Sequence, residues 1–256
     1  MPHFSGFLLC VVAVLCAALS STLLHAEEAL AADHRAGDKP AFKSEAGVGF
    51  VRTQSVIHGG QMSTSVMPYL IHEQGPFFAR IDTFGIKTLK AGYGHVELLG
   101  RYRGDGYAVA GLARRDNPVL LGLGTLQITP YGAVEATLLR DAGDSAGFIG
   151  QARYITRGAL WRLTVYPELG VEFLDSRYTR YYYGTRQQDA TAVGRTYLPA
   201  SATNLFAGLL TSVRITERIA FNAYIRRTWY DDAIEDSPLV RRGSRNSFFL
   251  ALARAF

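Results

Sequence analysis

From Trp161 to Phe173 the chain reads WRLTVYPELGVEF. Trp161, Leu163, Val165, Pro167, Leu169, Val171 and Phe173 share one parity, and Arg162, Thr164, Tyr166, Glu168, Gly170 and Glu172 share the other. A two-residue period of this kind is a strand with one oily and one charged face. The same alternation sets Leu205, Ala207, Leu209, Val213 and Ile215 against Asn204, Gly208, Ser212 and Arg214. It also sets Ile219, Phe221, Ala223, Ile225 and Trp229 against Asn222, Tyr224, Arg226 and Thr228. Arg227 interrupts the oily row close to a strand end, where a long cationic side chain can snorkel.

Strand-like segments follow one another at 45–53, 61–72, 77–86, 92–103, 125–140, 146–157, 159–174, 203–215, 217–230 and 244–256, with Gly, Pro, Asp and Asn between them. Most exceed the globular norm of about 5–6 residues and match the roughly 9–11 that a tilted strand needs to cross a bilayer. Tight turns near Arg157-Gly158 and Thr216 alternate with long connections at 175–202 and 231–243. Short turns at one end and long loops at the other predict an all-β fold: a closed antiparallel transmembrane β-barrel over residues 45–256. Both termini on the periplasmic side require an even count. Ten strands are expected, because Asp116-Asn117-Pro118 reads as a cap leading into a short helix near 118–123. Twelve is the alternative, reached by splitting 119–129 from 131–140 at Pro130 and adding one more strand. A soluble barrel with its oily face turned inward alternates in the same way, so periodicity leaves that reading open.

Export changes the picture. Residues 4–24 carry no charged side chain, and residues 1–26 read as a signal peptide, with cleavage after Ala26 or Ala31. An uncleaved anchor helix is the other reading of this run. Residues 27–44 are polar and aperiodic, a flexible periplasmic lead-in. Cys10 and Cys16 both fall inside the signal, so the mature chain is expected to hold itself together without disulfides. The formal net charge of +5 belongs to the mature chain and suits phosphate-bearing lipid, lipopolysaccharide or anionic glycan.

Parity places Glu135, Gln151, Arg153, Arg162, Glu168, Glu172, Arg214 and Arg226 toward the lumen. In a narrow barrel such residues form a plug of paired charges; in a wider one they line a charge-selective pore. Glu168 and Glu172 are about 13 Å apart on a strand, beyond the roughly 5–9.5 Å of glycoside hydrolysis. The histidines after residue 26 are His34, His58, His72 and His95, and none accompanies a nucleophile motif. No metal-ligand spacing, phosphate loop or nucleic-acid module is present, and no cofactor or catalytic residue is expected. Arg177, Tyr178, Arg180, Tyr181, Tyr182 and Tyr183 form either a loop recognition surface, or an interfacial belt or loop packing.

YPELGVEFLDSRYTRYYYG (166–184), DSPLV (236–240) and the closing Phe256 resemble the signatures of the MltA-interacting protein (MipA)/OmpV family, with a weaker match at EAGVGFV (45–51). The resemblance implies an outer-membrane barrel without enzymatic chemistry. It implies a scaffold joining a lytic transglycosylase to a bifunctional penicillin-binding murein synthase, with a narrow channel or a surface adhesin as alternatives. The last strand, SRNSFFLALARAF, ends on Phe256 with Phe248, Leu250 and Leu252 on its parity and Arg254 interrupting it; a terminal aromatic there resembles the assembly signal that bacterial outer-membrane barrels present to the barrel-assembly machinery.

Overall fold

The computed structural model describes residues 44–256. The expected signal peptide, 1–26, and all but the last residue of the lead-in, 27–44, lie outside the described residues. The strands are β1 (Glu45–Thr53), β2 (Ser63–His72), β3 (Phe77–Arg80), β4 (Thr83–Ala91), β5 (Gly94–Tyr102), β6 (Val119–Thr129), β7 (Gly132–Asp141), β8 (Phe148–Ile155), β9 (Gly158–Leu160), β10 (Leu163–Leu174), β11 (Ala202–Arg214), β12 (Ile219–Trp229) and β13 (Ser244–Ala255). Each pairs antiparallel with its neighbour, and β1 pairs with β13, so the sheet closes. Three short helices, α1 (Ser176–Tyr183), α2 (Gln187–Val193) and α3 (Asp232–Glu235), sit in the long loops.

Strands β8 and β9 are one wall strand with a flaw. The register on β10 is the same on both sides, Glu168↔Ile155 and Val165↔Gly158. Between them the Thr156 N–H donates to the Pro167 carbonyl (3.0 Å), but proline has no N–H to return. Counted this way the wall has twelve strands, not the ten that the sequence favours. Two segments account for the difference. The stretch 77–86 folds back on itself at Ile81-Asp82, giving β3 and the start of β4. The stretch 125–140 divides at Pro130-Tyr131, and its first strand already begins at Val119.

The helix expected near 118–123 is therefore strand. Leu121 and Leu123 point outward while Gly122 and Gly124 point inward. A side chain at Gly122 would stand 2.2 Å from the Leu138 carbonyl oxygen, so the inward row must be bare. With glycine in place of polar residues on that row, alternation was invisible as polarity.

Carrying the pairing register once around the wall returns to β1 displaced by about 16 residues, which demands the steep strand tilt usual in closed barrels. One end has the brief connections at 73–76, 92–93, 130–131, 161–162 and 215–218, together with Phe256; the other has 54–62, 103–118, 142–147, 175–201 and 230–243.

Orientation is unambiguous. On β10, Leu169 is 63% exposed while Glu172 is 1% exposed. Leu205, Ile225, Phe248, Leu250 and Leu252 also face out. The main buried apolar cluster lies under the long loops, where Leu120, Leu139, Ile149 and Leu174 meet Tyr178, Tyr182, Ile234 and Leu239. A smaller one lies inside β1, β2 and β13 around Tyr69 and Phe249.

Candidate functional site: the lumen network, its tyrosine cap and the lower rim

Inward parity delivers charges from many strands to one axis. Near the short-turn end, Arg80 pairs with Glu73 and Glu97, and Lys87 reaches Glu73 at 2.7 Å. In the middle, Glu135 lies between Arg101 (2.8 Å) and Arg153 (2.6 Å). Arg153 continues to Glu168 (3.0 Å), which also accepts from the Tyr224 hydroxyl, and Arg101 donates to Gln151. Toward the long loops, Arg103 binds Glu172 and Asp105, and Asp105 also holds Arg245 at 2.8 Å. That upper group joins residues at or just above β5 to β10 on one side and β13 on the other, so it crosses the lumen.

Burying so many charges is tolerable only because each carboxylate has at least one arginine or lysine and at least two polar contacts in all; a lone one would cost roughly several kcal/mol. At Asp105, just above β5, burial disfavours the charged form. Arg103, Arg245 and the Tyr178 hydroxyl outweigh it and hold the carboxyl well below the usual carboxylate range.

The tyrosine block forms a lid on this network. Asp175 caps α1 by accepting from the Tyr178 N–H at 2.9 Å. The helix then turns Tyr178, Tyr182 and Tyr183 into the interior, where Tyr178 is 0% exposed. The Tyr178 and Tyr182 ring centroids are 4.5 Å apart, and the Tyr178 hydroxyl donates to Asp105 at 2.7 Å. Burial, reinforced by Asp105, pushes the Tyr178 phenol well above its ordinary pKa, and burial pushes Tyr107 up to about 12.

Above it, Arg115 and Asp189 form a fully buried pair at 2.6 Å. Arg115 also donates to the Tyr181 carbonyl (2.6 Å), and Asp189 accepts from the Ala113 N–H (2.6 Å), fastening loop 103–118 to α2. The Ser237 hydroxyl donates to the Tyr183 carbonyl (2.6 Å), and Val240 bridges to Ile57. Thus the two sequence blocks YTRYYYG (178–184) and DSPLV (236–240) touch: together they are the lid.

Several expected positions need correction. Glu135, Gln151, Arg153 and Glu168 do meet in the lumen, and Glu172 lies in the separate upper group with Arg103. Arg226 faces the lumen too, but stacks on Phe206 with its guanidinium carbon 3.6 Å from the ring centroid instead of joining an ion pair among the described residues. Arg162 and Arg214 are not in the lumen. Arg162 occupies the two-residue turn after Trp161, and Arg214 is the last residue of β11, so both are exposed at the short-turn rim. The tyrosine block is not a surface either: only Arg177, Arg180 and part of Tyr181 are accessible. Tyr181 donates to Asp144 at 2.8 Å. Arg80, Glu97, Arg101, Arg103, Asp105 and Arg245 were missed, although GHVELLGRY (94–102) carries Glu97, Leu99 and Arg101 on one parity.

The short-turn rim is basic. Arg157, Arg162, Arg214, Arg218 and Arg254 are exposed there, with Glu217 the exposed acid beside them. Phe256 lies at this rim, its N–H bonded to the Ser44 carbonyl at 2.9 Å. Among the described residues no cluster of metal-ligating side chains occurs.

Comparison with known proteins agrees with this architecture. The profile of the family described as MltA-interacting protein MipA matches residues 46–256. The "Putative outer membrane protein YiaT" of Escherichia coli (strain K12) is 23% identical over 82% of this chain and 89% of its own. The "MltA-interacting protein" of the same strain is 27% identical over 49% of this chain and 52% of its own. The "24 kDa outer membrane protein" of Pasteurella multocida (strain Pm70) is 27% identical over 34% of each. With a matching profile across the whole barrel, oily rows outside and paired charges within, the chain belongs to the MltA-interacting protein MipA family of outer-membrane β-barrels.

Proposed function

We propose that this barrel works as a non-catalytic outer-membrane scaffold whose business end is the basic periplasmic rim, where it gathers a murein hydrolase and a murein synthase. The observation that carries this reading is the lumen. A cross-braced ion network beneath a tyrosine lid leaves the two rims as the surfaces where a partner can act. The same observation weighs against the solute-channel alternative, because a charge-selective pore needs charges left free to meet solute. The long loops are pinned by Arg115–Asp189 and Ser237–Tyr183, which leaves an adhesin the exposed crowns of those loops alone.

Arg157, Arg162, Arg214, Arg218 and Arg254 form a cationic crescent against which an acidic periplasmic protein surface is steered. A relative bears the name "MltA-interacting protein", which makes a lytic transglycosylase the first partner to try. The purified barrel, immobilised in detergent, is incubated with a lytic transglycosylase and a bifunctional penicillin-binding protein of the same cell. Retention of both is expected, with loss on Arg157→Glu, Arg162→Glu and Arg218→Glu combined. Retention of neither by the unaltered protein would end the scaffold reading.

A further inference from the structure

The outer face of the wall carries a concave notch at the short-turn rim, where β12, β13 and β1 lie side by side. Its volume is about 650 Å³, and Ala46, Glu217, Arg218, Arg254, Ala255 and Phe256 line it. Side-chain size makes the hollow. Arg254 on β13 stands between Ile219 on β12 and Ala46 on β1, and Ala46 leaves its place in that outward row empty.

Parity puts the notch on the lipid side. Arg254 continues the exposed row of Phe248, Leu250 and Leu252, and Ala46 continues that of Val48 and Phe50. Ile219 and Phe221 are the exposed residues next to them on β12. Oily wall therefore runs down into the notch, at the level where hydrocarbon gives way to the periplasmic head groups. A guanidinium facing lipid is costly at the bilayer midplane and costs little at its edge, where phosphates meet it. Phe256, 71% exposed, supplies the aromatic rim that outer-membrane barrels carry at this level.

The charged groups of the notch are held in place and left without partners. The Thr216 hydroxyl accepts from the Arg218 N–H (3.3 Å) and the Ile219 N–H (3.0 Å), and the Arg218 carbonyl accepts from the Ala255 N–H (2.8 Å). These bonds fasten the turn 215–218 to the end of β13 and bring Glu217 and Arg218 to the same hollow as Arg254. Among the described residues, Glu217, Arg218 and Arg254 make no ion pair, with one another or with any other group. The guanidiniums supply forked donors for a phosphodiester. The carboxylate, accepting only, suits an ammonium group and repels a bare phosphate.

We propose that the notch binds the head group of a phosphoethanolamine phospholipid of the periplasmic leaflet. Its phosphate lies between Arg218 and Arg254, its ammonium reaches Glu217, and its acyl chains run along Leu252, Leu250 and Val48. The site shares Arg218 and Arg254 with the crescent proposed as a partner surface, but lipid selection there requires no partner protein, so either role can fail without the other.

Fluorescence quenching in bilayers tests the site. In a chain carrying Cys10→Ser and Cys16→Ser, a bimane label is placed at Leu250→Cys, on the oily row above the notch. A control label at Leu123→Cys lies on the opposite side of the wall. Each protein is reconstituted in phosphatidylcholine with a minor fraction of chain-brominated phosphatidylethanolamine or chain-brominated phosphatidylglycerol, and heat-modifiable gel migration verifies folding. At Leu250 the label should report phosphatidylethanolamine enriched about fivefold over the bulk bilayer and phosphatidylglycerol about twofold; at Leu123 neither should be enriched. Glu217→Gln should erase the preference for phosphatidylethanolamine over phosphatidylglycerol, and Arg218→Gln with Arg254→Gln should abolish both enrichments. Quenching at Leu250 no greater than at Leu123 would overturn the proposal. Equal enrichment of the two lipids, or a preference that survives Glu217→Gln, would overturn it as well, because the ammonium would then have no part in binding.

Discussion

Glu172 has both oxygens engaged by Arg103, and Asn204 donates to it at 3.3 Å. Arg103→Ala would strand Glu172 and half of Asp105 in a dry interior. Removing one partner of a buried pair costs about 3–5 kcal/mol, so the variant should unfold at markedly lower temperature in the heat-modifiability assay. Replacing the pair together, Arg103→Met with Glu172→Gln, should recover much of that loss, since hydrophobic or neutral isosteres avoid the desolvation term. Tyr178→Phe removes the hydroxyl bond to Asp105 and should cost less, about 1–2 kcal/mol.

Asp105 also gives the lid a pH dependence with a definite sign. Its pKa in the folded chain lies below that of the unfolded chain. The stability it contributes is therefore complete above the unfolded value, about 4, and is lost as pH falls from there toward the folded value. Asp189 is also lowered: burial opposes its charge, but the Arg186 and Ala113 amides and Arg115 outweigh it. Protease nicking of loops 103–118 and 175–201 should rise as the pH drops below about 4, and stay constant between neutrality and pH 5.

At the scale of elements, the sequence was legible wherever oily and polar residues alternate. Strands β10, β11, β12 and β13 lie close to where their parity puts them, with the expected faces outward. It was illegible where alternation is one of size, as in VLLGLG (119–124), where glycine replaces the polar row. It was illegible again at β3, because the turn at Ile81-Asp82 puts its positive φ on an isoleucine and leaves a single Asp as the turn signal. The lumen network was half readable. Parity gave Glu135, Arg153, Glu168 and Glu172, but Arg103 and Asp105 belong to a loop that folds inward, and no period marks a loop. For the tyrosines of α1 loop packing is among the readings the sequence offers, but which of them turn inward is not legible, because an eight-residue helix inside a barrel loop has a buried face that strand reasoning does not anticipate. Phe256 ends the closing strand at the rim where β13 meets β1. If it is an assembly signal, Phe256→Ala should slow barrel assembly in cells by several-fold. The refolded protein's melting should be unchanged, because its side chain is exposed and buries little area.

Over the described residues the barrel is turned inside out relative to a soluble protein: apolar rows toward lipid, ion pairs along the axis, and buried apolar clusters beneath the long loops and inside β1, β2 and β13. Its rigidity comes from a closed ladder and a cross-braced lumen, which suits a platform with partners at a rim. Nitroxide scanning along β10, one residue at a time from Leu163 to Phe173 in reconstituted bilayers, tests this most directly. The account predicts high accessibility to molecular oxygen at Leu163, Val165, Pro167, Leu169, Val171 and Phe173, and low accessibility at the five residues between them. High oxygen accessibility at Glu168 and Glu172 with protected labels at Leu169 and Val171 would contradict it.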